Sequence, residues 1–168
     1  MTQKDPFFKY PHQVPASTAR PGLLYDRLPG YYAVHGRPPH TPAEGAAYLF
    51  NEGAIAVFQG EPQERKDLSS SNTVSPVYAL QPQGPPAVAT GLVLVRFRES
   101  VSVETRRKDL DRAGYLIAQV LDYAPHAAWV RARSGEIVEA LTGLSVLAKL
   151  PDVENVEPQM LIKSGRRL

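Results

Sequence analysis

"GLVLVRFRESVSVETRRKDLDRAGYLIAQVLDYAPHAAWVRAR" (residues 91–133) changes its hydrophobic period twice. Residues 91–98 alternate, with Val93, Val95 and Phe97 on one side, and read as a strand. Residues 101–114 turn polar and charged and end at Gly114, as a surface helix with a glycine stop does. Alternation returns over 115–123 and 126–133, predicting two strands joined through Ala124-Pro125. Further along, "SGEIVEALTGLSVLAKL" (134–150) spaces Ile137, Leu141, Leu144 and Leu147 as one helix face behind Ser134, a plausible N-cap. "VENVEP" (153–158) is a last short strand, closed by Pro158. The order β-α-β-β-α-β predicts an α+β, ferredoxin-like antiparallel sheet with two helices on one face.

Upstream, the composition shifts. Thirteen of the 16 prolines lie in residues 1–90. Proline lacks the backbone donor and fixes φ, so residues 1–30 are expected to hold no long helix or central strand. "AAYLFNEGAIAVFQG" (46–60) predicts a β-hairpin turning at Asn51-Glu52-Gly53. "YYAVHG" (31–36) and "TVSPVYAL" (73–80) are further strands, with Pro76 placing the second at an edge. "EPQERKDLSSSN" (61–72) reads as a solvated loop and "QPQGPPAVATG" (81–91) as a linker. The expected domains are a Pro-rich N-terminal extension (1–90) and a second domain (91–168) with a C-terminal tail (159–168).

The bulk numbers are those of an ordinary globular chain. Of the 168 residues, 43% are apolar and 21% charged, and the formal net charge is +2. That charge gives no general pull toward nucleic acid or membrane. Cysteine is absent, which excludes disulfides and thiol chemistry. The opening residues lack a signal-peptide layout and no apolar run reaches the ~18 residues of a membrane span, so a cytoplasmic protein is expected.

Helices on one face leave the other free, and a wet face should alternate apolar with polar residues. Here both phases of each strand are greasy. With Val93, Val95, Phe97, Leu116, Ala118, Val120, Ala128 and Val130 turned to the helices, the open face carries Leu92, Leu94, Tyr115, Ile117, Leu121 and Trp129. Such a patch is larger than a monomer ordinarily leaves wet. Either the Pro-rich half folds over it or a protein partner does.

Catalysis has no support in the residues. His12, His35, His40 and His126 share no metal-ligand spacing, so no metal or cofactor is expected. No nucleophile elbow, P-loop or dinucleotide-binding glycine motif occurs. Asp109 and Asp111 sit beside Arg and Lys on a solvated helix face. The same element order serves RNA-recognition modules and small-molecule regulatory domains. Tyr115 and Trp129 with Arg96, Arg98, Arg131 and Arg133 offer an aromatic, basic sheet for nucleic acid, the alternative reading. Against it, the third strand lacks the Gly- and Phe-rich signature, and residues 91–168 balance 12 Lys/Arg with 10 Asp/Glu.

Three stretches carry a resemblance: "GLVLVRFRES", "DLDRAGYLIAQVLDYAPHAAWVRA" and, most specifically, "LAKLPDVENVEPQMLI" with its Leu-x-x-x-Pro-x-Val-x-x-Val-Glu pattern. Residues 91–165 resemble the inhibitory propeptides of subtilisin-type serine proteases; residues 1–90 match nothing comparable. The resemblance implies a non-enzymatic, chaperone-like inhibitor in a 1:1 heterodimer with a subtilisin-like serine protease. The open sheet face would pack on two surface helices of the protease, and the tail would enter the substrate cleft as an added strand. Glu157 would cap the positive end of a protease helix, an anion being favoured there by roughly 0.3–1 kcal/mol. Gln159 stands where a second acid is usual, weakening that cap. Gln159, Met160, Leu161, Ile162, Lys163, Ser164 and Gly165 would form the cleft segment, Ile162 filling the fourth subsite before the cut at Ser164 or Gly165. These 168 residues hold no catalytic domain, so the resemblance implies a free-standing inhibitor or folding helper acting in trans.

Overall fold

The Val-, Ile- and Tyr-rich runs of this chain form strands, because branched and aromatic side chains pack well on a pleated surface. The computed structural model describes residues 5–62, 68–69 and 71–163. In chain order the elements are β1 (Gln13–Pro15), β2 (Leu24–His35), β3 (Tyr48–Phe50), β4 (Ile55–Gln59), β5 (Thr73–Leu80) and β6 (Pro86–Phe97). There follow α1 (Arg107–Arg112), β7 (Tyr115–Leu121), β8 (Ala124–Ala132), α2 (Ile137–Thr142), α3 (Leu144–Ala148) and β9 (Val153–Ile162). All pairing is antiparallel, so the fold is α+β.

The nine strands form one sheet, ordered β3-β4-β2-β5-β6-β8-β7, with β1 on β2 and β9 on β6. That order is not the four-strand order of an isolated ferredoxin-like plate, because the N-terminal strands continue the sheet. The expected linker is no linker. Residues 86–91 are the first part of β6, which pairs with β5 at Pro86 and Ala87 and with β8 from Leu92 to Arg96. β9 accompanies it from Ala87 to Phe97. Between Ala89 and Val93 the register slips: three residues of β6 face only Gln159 of β9. Gly91 turns this bulge at φ +95°, where a side chain would be strained. Pro158, expected to end the strand, lies beside the bulge, and β9 runs on to Ile162. Thr90 Oγ donates to Gln159 Oε1 at 2.7 Å and fills the gap in the ladder.

The other proline expectations fail for the same local reason. Pro29 lies inside β2, in the stretch between Arg27 and Tyr32 where the register to β5 shifts. Pro76 sits in a strand with neighbours on both sides, but β6 pairs only with Tyr78 and Ala79, so the missing N–H costs no bond there. The hairpin over 46–60 is present as β3 and β4 around a 3-10 turn at Asn51–Gly53. Of the loop at 61–72, residues 63–67 and 70 lie outside the described residues.

The helix layer buries one sheet face. Leu110, Ile137, Ala140, Leu141, Leu144 and Leu147 pack on Val93, Val95, Phe97, Ala128, Val130 and Val156. Each large side chain so buried contributes about 1.5–3 kcal/mol of apolar transfer. Residues 101–114 start as a 3-10 turn (Val103–Arg106) before α1. The second helix is two short ones, broken at Gly143, although its four apolar positions are buried as spaced. The break has a steric cause. A Cβ at Gly143 would lie 2.4 Å from the Tyr115 hydroxyl oxygen. That hydroxyl donates to Ala140 O at 2.7 Å, and burial pushes its pKa up to about 12. Ser134 Oγ accepts from Glu136 N one turn early, so it does not cap α2, whose N-cap is Glu136.

Tyr115 therefore faces the helices, at 2% exposure, and Ile117 follows it into the same core. This corrects the expected phase of β7: Leu116, paired with Arg131, takes the opposite face. A bulge between Ile117 and Gln119 then returns Val120 to the helix side. The β7–β8 turn is Asp122-Tyr123, two residues earlier than Ala124-Pro125.

Gly143→Ala should cost about 1–3 kcal/mol by overpacking, and Tyr115→Phe about 1 kcal/mol by loss of its bond. In urea titrations the double variant should lose less than the sum, since removing the hydroxyl relieves the clash; strict additivity would refute the contact. His35, buried with Nε2 2.8 Å from Ser75 Oγ, has its pKa lowered to about 4 by burial. Below pH ~6.5 the unfolded chain binds a proton that the native chain refuses. Stability should therefore fall by about 2 kcal/mol from pH 7.5 to pH 5, and His35→Gln should flatten that slope in the same titration.

Candidate docking face

The sheet face opposite α1–α3 is laid out by register. Glu157, Leu94, Trp129 and Gln119 form one row across β9, β6, β8 and β7. Leu92, Arg131 and Leu116 form the row on one side of it; Asn155, Arg96 and Ala127 form the row on the other. Leu92, Leu94, Leu116 and Trp129 are half-buried and belong to none of the buried clusters among the described residues. Period-2 reasoning thus brings Leu92, Leu94 and Trp129 together correctly. Leu121, paired with Ala124 at the hairpin end, is half-buried, and a register shift after Val120 separates it from these rows. Tyr115 and Ile117 are not part of this face.

One residue escaped the sequence reading. Tyr123, 86% exposed, stands at the hairpin tip next to Leu121. An aromatic in an Asp-Tyr-Ala-Pro turn was the available signal.

Glu157 is held by its neighbours. Its Oε1 accepts from Asn155 Nδ2 at 2.8 Å, and Asn155 Oδ1 accepts from Ser17 Oγ at 2.6 Å and Ala19 N at 3.2 Å. Thr18 completes the clasp: its N–H donates to Val156 O at 3.0 Å and its Oγ accepts from Val156 N at 2.9 Å. The opening segment is therefore bonded along the edge of β9 rather than folded over the apolar rows.

The tail residues are strand. Met160 pairs with Ala89, Leu161 with Val88 and Ile162 with Ala87. Met160 joins the helix-side core, Leu161 packs in a second core with Val77 and Val88, and Ile162 is 42% exposed. Lys163 Nζ lies 5.6 Å from the Tyr48 ring centroid. Ser164 and Gly165 lie outside the described residues. β9 has β6 on one side, and no other described strand pairs with Met160–Ile162.

Elsewhere, a cleft of about 640 Å³ is lined by Asp5, His12, Asp26, Arg27, Tyr31 and Glu61 among others. Its charges are largely satisfied internally. Arg27 pairs with Asp5 at 2.8 Å and holds that carboxyl down to about 2, and Asp26 accepts from Gln13. Asp111 pairs with Arg133 and Asp109 approaches Arg106. Among the described residues no three His, Asp or Glu side chains gather as a metal site, and no helix is long and apolar enough to cross a membrane.

Trp129, the single tryptophan, reports on this face. Acrylamide should quench its emission, and at low salt iodide should quench about twofold better than caesium because Arg96 and Arg131 raise the local potential. Emission indifferent to all three quenchers would mean a covered face. Comparison with protein-family models, curated proteins and solved structures finds no match to this chain.

Proposed function

We propose that this chain inhibits a subtilisin-like serine protease, docking through the face centred on Leu92, Leu94, Leu116 and Trp129. The observation that carries the reading is this half-exposed apolar strip, backed by helices on its far side and bordered by the oriented carboxylate of Glu157. The succession β6-α1-β7-β8-α2/α3-β9 is also the βαββαβ order that the propeptide resemblance implies.

The strand geometry narrows the tail's role. Gln159–Ile162 cannot lie free in a cleft without leaving β6. Their outer edge can still accept a protease strand by backbone pairing. A segment zipped into its own sheet is also a poor substrate once bound, because cleavage does not release it.

The test is titration of a subtilisin-type protease with the intact chain, against a chromogenic peptide. Hydrolysis should stop near one equivalent. Leu94→Asp and Trp129→Asp should each weaken inhibition about 30-fold or more, as loss of an interface anchor does. Truncation after Lys163 should leave capture of the serine-blocked protease intact while inhibition weakens. Full activity at micromolar chain across a panel of such proteases would overturn the proposal.

A further inference from the structure

Among the described residues after position 90, every arginine other than Arg96, Arg131 and the helix residue Arg112 has a carboxylate partner. Arg98 and Arg106 bind Asp152, Arg107 binds Glu104, and Arg133 binds Asp111. Arg27, on the N-terminal strands, binds Asp5. Among the described residues Arg96 and Arg131 have no carboxylate partner, although both side chains are exposed. Arg131 pairs with Leu92, four residues before Arg96 along β6. The two Cα atoms are therefore about 14 Å apart, one to each side of the Leu94–Trp129 row, from ~3.3 Å per residue and ~4.8 Å per strand.

An arginine is a demanding group to cover. A partner that closes over the apolar rows without answering these guanidiniums leaves two cations partly desolvated and unpaired, which is costly. We infer that the surface which docks here is a protein patch with an apolar centre and two acidic sites, one facing Arg96 and one facing Arg131; this rests on the docking reading above. Paired across the rim, such charges act mainly on the rate of encounter and on the choice of partner. A nucleic acid fits the same arginines less well. Glu157 stands in the central row beside Leu94 and faces any polyanion laid along it. The central row also offers only two apolar side chains, Leu94 and Trp129, with Trp129 as its single aromatic.

The experiment uses the intact chain and a subtilisin-type protease with its serine blocked by phenylmethylsulfonyl fluoride, read by stopped-flow of Trp129 at 50 and 300 mM NaCl. Association should slow about tenfold at the higher salt. Arg96→Glu with Arg131→Glu should slow association by 10-fold or more at 50 mM and abolish the salt dependence, with dissociation changed less than threefold. Urea midpoints check that both variants fold. If Leu94→Asp abolishes capture while the double reversal leaves rate and salt slope untouched, the acidic-partner inference is wrong and docking stands. If neither variant matters, or no protease is captured, both readings fall. A labelled 20-mer RNA that binds tightly, weakens steeply with salt and is lost in the double reversal would replace the protein partner by nucleic acid.

Discussion

The pairing of β6 with β9 is the contact on which the rest of the molecule depends. β6 is shared: β5 takes its first residues and β8 its later ones, while β9 follows its whole length. All three neighbours run antiparallel to β6, but the register to β9 slips between Ala89 and Val93. The bulge at Thr90–Leu92 absorbs the slip, with Gly91 in the left-handed region and Thr90 bonded to Gln159. Pro158 pairs with Val93 at the edge of that register shift, where an absent donor is best tolerated. Without this arrangement the N-terminal strands and the helix-backed strands would be separate bodies.

From that spine comes the sidedness of the chain. The helices and the aromatic group Tyr10, Tyr25 and Tyr78 fill one side in a single core. Ala33, Ile55, Val57, Val77 and Val88, from β2, β4, β5 and β6, fill a smaller core on the other side. Between the two, the face over β6, β7 and β8 is left with side chains too apolar to be well hydrated and too few neighbours to be buried. The Ser17–Ala19 clasp explains why the opening residues do not cover it: they are committed to the edge of β9, where three hydrogen-bonding groups of Asn155 and Val156 hold them.

The face owes its chemistry to this economy of neighbours. Carboxylates that neutralise Arg98, Arg106, Arg107 and Arg133 come from loops and helix ends nearby. Arg96 and Arg131 project from mid-strand on the open face, and among the described residues no carboxylate pairs with either. The same seclusion leaves Leu94 and Trp129 paired only with each other and with Glu157 and Gln119 in their row.

By itself the sequence determined the kinds of element in residues 91–158, the helix face of Ile137, Leu141, Leu144 and Leu147, the 46–60 hairpin and the greasy character of both sheet faces. These are local properties, written in spacing and in turn residues. The tertiary structure decided what no local pattern encodes. Period 2 assigns residues to two faces but does not say which is inner when both are apolar; Tyr115 went inward because Gly143 left room for its ring. Pro29 argues against a central strand, Pro76 for an edge strand and Pro158 for a strand end, but missing donors matter only against a partner, and the partner's register is a long-range fact. For the same reason the tail, which looked free, is a strand through Ile162: its mate lies more than seventy residues earlier in the chain.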